Sequence, residues 1–285
     1  MMGMDIDKIM TQMRERLQFN GLDIQALREY LKDCPWHLHM FTELDSTNTF
    51  LKKIAQGGAP AGSVVVCDRQ SAGRGRLGRT FLSPGGVGVY LSALIRPDCA
   101  PTELMHLTCA VAVAMCDAVE HAFGFRPAIK WTNDLVVENK KLGGILTELG
   151  LDPKTGRVSY AVLGIGINCG QRPEDFDESI RSMATSARMV LGHEADRDRL
   201  IAEMVRALET MDHALLSSPA AMLDRYRADC MTLGRQVSIV RGDEVRHATA
   251  LDIDAEGGLI VRYDTGETAT VTSGEVSVRG LYGYI

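Results

Sequence analysis

The segment that most constrains the fold is Gln70–Pro84, QSAGRGRLGRTFLSP, set between two apolar runs, Ser63–Cys67 (SVVVC) and Gly88–Ile95 (GVYLSALI). Its glycines at 73, 75 and 78 have the G-x-G-x-x-G spacing of a dinucleotide-binding turn. That turn works only where a helix begins inside it, because the pyrophosphate sits on the helix's free N–H groups. Here Pro84, Gly85 and Gly86 follow closely enough to break any such helix. The segment also ends without the Gly-Lys-Ser/Thr of a P-loop. The chain must therefore run strand, loop, strand, with Arg74, Arg76 and Arg79 carried on a glycine-permitted loop. Such a loop suits enclosing a phosphate or carboxylate with bidentate bonds; on spacing alone, a solvated basic hairpin turn explains it equally well.

The flanking patterns supply the rest of an α+β fold. Ser46–Ala55 reads as a helix, with Asp45, Ser46 or Thr47 as its cap and Gly57-Gly58 as its stop. Thr102–Phe123 reads as a long apolar helix entered by Pro101 and closed by Gly124. Ala128–Val137, Leu142–Leu149 and Val158–Asn168 read as an antiparallel meander, with turns at Glu138–Lys140 and Asp152–Gly156. Apolar residues at helical period fill Asp198–Leu216, and Met222–Arg227 continues helical after Pro219. Beyond Thr232 the chain changes to short alternating segments separated by glycine turns, the mark of a small β-barrel. The expected architecture is a mixed or antiparallel central sheet with helices on one face, plus a C-terminal barrel. The expected division is a short helical segment (1–35, with amphipathic stretches at Ile6–Leu17 and Ile24–Leu31), a main domain (36–231) and the barrel (232–285).

Charge and cysteine usage narrow the function classes. A formal net charge of −6 over 285 residues argues against a surface that grips nucleic acid throughout, though not against a local basic site. No run of apolar residues approaches the roughly 20 needed to span a bilayer, and the N-terminus lacks an apolar signal core, so a cytoplasmic location without membrane attachment is expected. The seven cysteines form no C-x-x-C pair, and most sit in apolar contexts. They read as reduced core residues, with no metal site among them.

A second stretch, KWTNDLVVENKKLGGILTEL (130–149), breaks the tie over the arginine loop. Asn133 and Asp134 offer an amide and a carboxylate beside Trp131, and Lys141 precedes the pair Gly143-Gly144, where a ligand can lie against bare backbone. Each residue has an ordinary structural explanation when taken singly. Jointly those explanations weaken, because the loop, the Asn-Asp pair and the lysine lie on strands that one sheet can bring together.

In this order DSTN (45–48), QSAGRGRLGR (70–79), KWTND (130–134), KLGGIL (141–146) and GIGIN (164–168) resemble the biotin protein ligases, a likeness that runs from about Asp23 to the C-terminus. The resemblance implies a class II synthetase-like biotin/lipoate ligase domain with an SH3-like C-terminal barrel. It implies ATP-dependent formation of biotinyl-5′-AMP, with Mg²⁺ accompanying ATP, and transfer of biotin to a lysine of a biotin carboxyl carrier protein, by default the acetyl-CoA carboxylase subunit. It also implies residue roles. Ser46, Thr47, Asn48, Gln70, Gly73, Arg74, Arg76, Lys141 and Gly144 would bind biotin. Arg76, Arg79, Phe81, Asn133, Asp134 and Asn168 would bind the nucleotide, and Lys141, Arg76, Arg79 and Asp134 would carry the chemistry. Lys141 would face the biotin carboxylate, and the two arginines would stabilise the adenylate and the departing pyrophosphate.

This sequence departs from the family pattern at Thr132, where many relatives have proline, and at Phe81, where an adenine-stacking tryptophan is common. Relatives that double as repressors carry a winged helix of about 60 residues before the catalytic domain; the shorter N-terminal stretch here suggests the ligase-only class, without specific DNA, as monomer or homodimer. Three alternatives stay open at this stage: a lipoate or octanoate ligase or transferase of the same superfamily, a biotin-responsive DNA-binding regulator, and a structural module whose barrel binds peptides.

Overall fold

The computed structural model describes residues 21–272 and the backbone of 277–280. The amphipathic stretch expected at Ile6–Leu17 lies outside these residues. Helix α1 (Ile24–Tyr30) begins at Asp23, whose Oδ1 accepts from the backbone N–H groups of Gln25 and Ala26, and it packs on a later helix through the buried Leu27.

The central sheet contains β1 (His37–Leu44), β2 (Ser63–Gln70), β3 (Gly88–Ile95), β4 (Ala128–Lys130), β5 (Asp134–Val137), β6 (Lys140–Leu151) and β7 (Val158–Asn168) in the order β1-β2-β3-β7-β6-β5-β4. Only β1 and β2 run parallel; every other pairing is antiparallel. The unbroken apolar run of β3 follows from burial on both faces. Val64, Val66, Leu91 and Ala93 join the main core, under α3 (Leu107–Phe123) and α5 (Arg197–Ala214), while Val65, Cys67, Leu94 and Val162 form a smaller cluster under α2 (Thr47–Gln56). Among the described residues α3 and α5 thus lie on one face, as expected, and α2 covers the other.

Two local readings change. The Thr102–Phe123 helix is a short 3₁₀ turn, Pro101–Leu104, followed by α3, which ends where Gly124 turns left-handed at φ 77°. Pro101–Phe123 is long and apolar enough by composition to cross a membrane, yet most of it is buried inside the protein, so it is a core helix. The strand expected over Ala128–Val137 is instead a tight hairpin: β4 pairs antiparallel with β5, and Trp131, Thr132 and Asn133 make the reversal. Tertiary partners satisfy that turn. The Trp131 N–H donates to Thr232 Oγ1, the Trp131 ring N–H donates to the Gly257 carbonyl, and the Tyr226 hydroxyl donates to the Thr132 carbonyl.

Helices α4 (Ala187–Leu191) and α6 (Pro219–Asp229) complete the helical complement of the described residues. The C-terminal unit holds β8 (Gln236–Arg241), β9 (Glu244–Ile253), β10 (Leu259–Tyr263), β11 (Thr268–Val271) and β12 (Ser277–Gly280), all antiparallel in the order β11-β10-β9-β8-β12. Its apolar face, including Val237, Ala248 and Val261, is continuous with the main core. Arg227 of α6 adds hydrogen bonds to the Ile253 carbonyl.

Candidate active site

A cleft of about 670 Å³ opens beside β6 and β7, between the arginine loop, the start of α2 and the Trp131–Asp134 turn. Its floor is set by glycines. Gly144 and Gly166 face each other across the β6–β7 pairing, as do Leu146 and Gly164. A Cβ on Gly164 would meet Asn48 Oδ1 at 2.1 Å, and one on Gly166 would meet the Phe81 ring at 2.5 Å. A Cβ on Gly144 would sit 3.3 Å from Lys141 Nζ. The bare backbone thus admits side chains from other elements across the sheet, which keep the cleft polar at one end and flat at the other.

The polar end is built by Ser46, Thr47, Asn48 and Gln70, all on the lining. Ser46 holds extended backbone at the start of α2 but makes no side-chain cap. The Thr47 N–H is taken instead by Gln70 Oε1 at 2.9 Å, and Gln70 Nε2 donates to Ser83 Oγ at 2.9 Å, which ties β2, the helix start and the far end of the arginine loop together. The Asn48 amide donates to the Leu146 carbonyl (3.2 Å) and to Glu148 Oε2 (2.9 Å). Ser92 Oγ lies 2.7 Å from Thr47 Oγ1 and 2.6 Å from Asn48 Oδ1.

The charged end is built by Lys141, Asp134, Arg76, Arg79 and Asn133, also on the lining. Lys141 Nζ lies 2.6 Å from Asp134 Oδ1, and both side chains are less than a third exposed. Lys141 is held from behind: its N–H donates to the Met183 carbonyl and its carbonyl accepts from the Thr185 N–H. Arg76 Nη1 donates to Asn133 Oδ1 at 3.0 Å, so the loop reaches the opposite wall. Burial pushes the Arg76 guanidinium below its ordinary pKa, the neighbouring Asp134 works against that shift, and the group stays a cation.

The loop itself makes a bridge between Arg74 and Thr80 and a 3₁₀ turn at Arg76–Gly78. Gly73 does not line the cleft. Its hydrogen brings the strands together, because a Cβ there would meet the Phe81 carbonyl at 2.2 Å. Arg74 lines the cleft and lies 3.4 Å from Glu148 Oε1. The Phe81 ring lies over Gly166, edge-on to Tyr90, where it offers a flat apolar surface. Asn168 stands apart from the lining. Its amide donates to the Thr185 and Lys141 carbonyls and its oxygen accepts from Gln171, so it tethers the segment behind Lys141 instead of facing the cleft.

Sequence reasoning passed over Lys130, Met183 and Leu146 on the lining, and Glu148 and Ser92 just behind it. Glu148 was within reach of the strand period: Gly144, Leu146 and Glu148 alternate onto one face of β6. Ser92 had its own signal, a hydroxyl inside an apolar run that must find a partner when buried. Among the described residues no group of three or more His, Cys, Asp or Glu side chains is placed to hold a metal ion.

The model of the Biotin/lipoate A/B protein ligase family matches residues 40–168, and that of the Biotin protein ligase C terminal domain matches residues 232–279. The Bacillus subtilis bifunctional ligase/repressor BirA is 34% identical over 235 residues, 81% of this chain and 70% of that protein. The Mycobacterium tuberculosis biotin--[acetyl-CoA-carboxylase] ligase is 31% identical over 273 residues, 92% of this chain and 97% of its own. Among solved structures, the biotin protein ligase from Aquifex aeolicus in complex with biotin and ATP superposes with a TM-score of 0.72 at 27% identity, covering 86% of this chain and 99% of that one. With both domains matched in order and identity above 30% across nearly the whole length of a curated relative, this chain belongs to the biotin protein ligase family.

Proposed function

We propose that this chain activates biotin with ATP and transfers it to a lysine of the biotin carboxyl carrier domain of acetyl-CoA carboxylase. The observation that carries the reading is the arrangement of the cleft. A neutral polar end of fixed hydrogen-bonding groups and a cationic end of Lys141, Arg76 and Arg79 are joined over a glycine floor, which matches a neutral ring on a chain that ends in a carboxylate. A lipoyl head, an apolar dithiolane, would bring no polar partner to the Thr47, Asn48 and Gln70 side chains that line this end.

In the first step a biotin carboxylate oxygen attacks the α-phosphorus of ATP, an O–P bond forms, and the bond to the β-phosphate oxygen breaks to release pyrophosphate. Lys141 aligns the carboxylate, and Arg76 and Arg79 take up charge on the phosphoryl oxygens. Phe81 offers its face to the adenine. In the second step a neutral carrier-lysine amine attacks the acyl carbon, AMP leaves, and the amine's extra proton passes to solvent. Mg²⁺ fits this site as an ion brought in by the triphosphate. Asp134, a lining carboxylate whose Oδ1 meets Lys141, would contribute the protein oxygen, a sparse set suited to an ion whose remaining ligands are phosphates and water, and the ion would neutralise phosphate charge.

We place the activity in the cytoplasm, in keeping with seven cysteines that all remain free thiols. The test is intact mass of a carrier domain after incubation with the protein, biotin and Mg-ATP. One added biotinyl group, dependent on all three, is the expected result. Absence of biotin-dependent pyrophosphate release overturns the reading.

A further inference from the structure

We propose that Glu148, a residue outside the cleft wall, is the positioning residue that fixes which groups at the polar end accept and which donate. Through Asn48 it requires a ligand that presents N–H donors there. The inference rests on the reading that a cyclic urea occupies this end.

Counting protons gives the argument. Each Asn48 amide proton has an acceptor behind the wall, one on the Leu146 carbonyl at 3.2 Å and one on Glu148 Oε2 at 2.9 Å. The atom that faces those two oxygens must be nitrogen, so Asn48 Oδ1 is the atom turned toward Ser92 and the cleft. Ser92 is fully buried and has one hydroxyl proton, and an amide oxygen cannot donate, so that proton points to Asn48 Oδ1 at 2.6 Å and is shared with Thr47 Oγ1. Ser92 is also the donor at its 2.7 Å contact with Thr47 Oγ1, so the Thr47 proton goes to Gln70 Oε1 at 3.1 Å. The Thr47 proton is thus used within the protein, on Gln70. Thr47 and Asn48 therefore meet a ligand through lone pairs only.

Glu148 holds this pattern because it stays a carboxylate. Burial alone would push its pKa up, but hydrogen bonds from Lys52 and Asn48, with the Lys52 and Arg74 charges, hold it below the ordinary carboxylate range. Its two oxygens have separate duties. Oε1 faces Lys52 Nζ at 2.6 Å and Arg74 at 3.4 Å, while Oε2 faces Asn48. A glutamine at this position keeps the shape but has one oxygen. The two cations claim that oxygen and its NH₂ turns to Asn48, which then either meets it donor to donor or inverts, setting its oxygen against the Leu146 carbonyl and a donor where the ligand also has one.

The test measures binding of biotin alone and of ATP alone by calorimetry, for wild type, Glu148→Gln and the exchange pair Glu148→Gln with Asn48→Asp. Wild type must bind biotin and form the adenylate; failure there sinks the assigned function and is distinct from failure of this inference. Glu148→Gln is expected to weaken biotin binding at least about tenfold, the loss of one hydrogen bond with two donors left opposed, while ATP affinity stays within about twofold. The exchange pair puts an acceptor back at position 48 with an amide behind it, at the cost of the bond to the Leu146 carbonyl, and should recover part of the biotin affinity. Equal biotin affinity in wild type and Glu148→Gln overturns the inference. So does a parallel loss of biotin and ATP binding, which marks a scaffold role, or an exchange pair no better than the single variant.

Discussion

Lys141→Ala separates the chemical role of the cleft from its architecture. The lysine side chain packs against bare backbone at Gly144 and its ammonium rests on Asp134 Oδ1 at 2.6 Å, so truncation removes a charge without opening an apolar core. The pair is partly exposed, 30% at the lysine and 19% at the aspartate, and solvent screens part of its attraction. Its loss should cost stability on the order of 1 kcal/mol, a few degrees in the melting temperature of a domain this size. The effect on the reaction is larger. A preorganised charged donor at developing charge typically contributes about 3 to 4 kcal/mol, which is about two to three decades in rate. The assay is biotin-dependent pyrophosphate release at saturating ATP, with the melting curve recorded on the same sample. A parallel measurement supplies chemically made biotinyl-adenylate and follows transfer to the carrier domain, a step in which the lysine no longer has a free carboxylate to align. Expected is a fall of at least about 100-fold in the first assay and a much smaller fall in the second. A folded variant that releases pyrophosphate within about threefold of wild type would refute the placement of Lys141 at the reacting carboxylate.

Other substitutions and probes test separate parts of the site. Gly164→Ala puts a methyl 2.1 Å from Asn48 Oδ1 and should abolish biotin binding while leaving ATP binding measurable; unchanged biotin affinity means that Asn48 does not form the polar end. Arg76→Gly removes the contact to Asn133 and one charged partner for the adenylate, so retention of the mixed anhydride should weaken about 10- to 150-fold and bystander lysines should become biotinylated. Labelling of an unrelated lysine-rich protein at the wild-type level, with adenylate still made, counts against it. Amide exchange across residues 70–84 should slow when biotin and ATP are added together, and equal exchange with and without them means a rigid loop. Any association with duplex DNA should be weak and vanish with added salt; a salt-resistant, biotin-dependent complex with one sequence restores the regulator reading.

Legibility in the sequence followed the range of the interactions involved. The strands on either side of the arginine loop could be read because Ser63–Cys67 and Gly88–Ile95 are continuous apolar runs bounded by glycine and proline. The turn at Glu138–Asn139 was readable because a polar run interrupts two apolar stretches and Asn139, at a φ of 60°, is a residue that tolerates the left-handed region; Glu138 sits at 48° beside it. The reversal at Trp131–Asn133 was not. No glycine or proline marks it, and its polar groups are satisfied by Thr232, Gly257 and Tyr226, residues about 90 to 125 positions away whose arrival no local pattern announces. The cleft residues divide the same way. Lys141 and Arg76 stood out as charges beside glycines and Asp134 as the carboxylate of an Asn-Asp pair, whereas Asn168 carried the same motif-level signal yet uses its amide as a tether. The helix cap supplied by Gln70 from another strand was invisible because a cap is ordinarily sought within the helix's own segment.

The contacts that hold the arginine loop explain how one segment can both seal the cleft and release it. Arg76 donates to a neutral amide oxygen on Asn133, and Arg74 stands 3.4 Å from a carboxylate already engaged by Lys52 at 2.6 Å. A neutral acceptor contributes about 0.5 to 1.5 kcal/mol and a charged one about 1.5 to 3 kcal/mol, so a phosphoryl oxygen is the stronger acceptor for the bond that Arg76 gives Asn133. Arg79 on the same wall adds to that preference. Leu77, at a φ of 54° and 54% exposed, opposes closure with a left-handed backbone and little burial in return. The loop is therefore expected to be held more firmly as negative charge arrives, which is what slower amide exchange across residues 70–84 would report. Once AMP and the acylated carrier lysine replace the adenylate, the bond joining the two ends of the cleft is gone. Each fragment then leaves against only its own contacts, and the loop returns to the weaker set on Asn133 and Glu148.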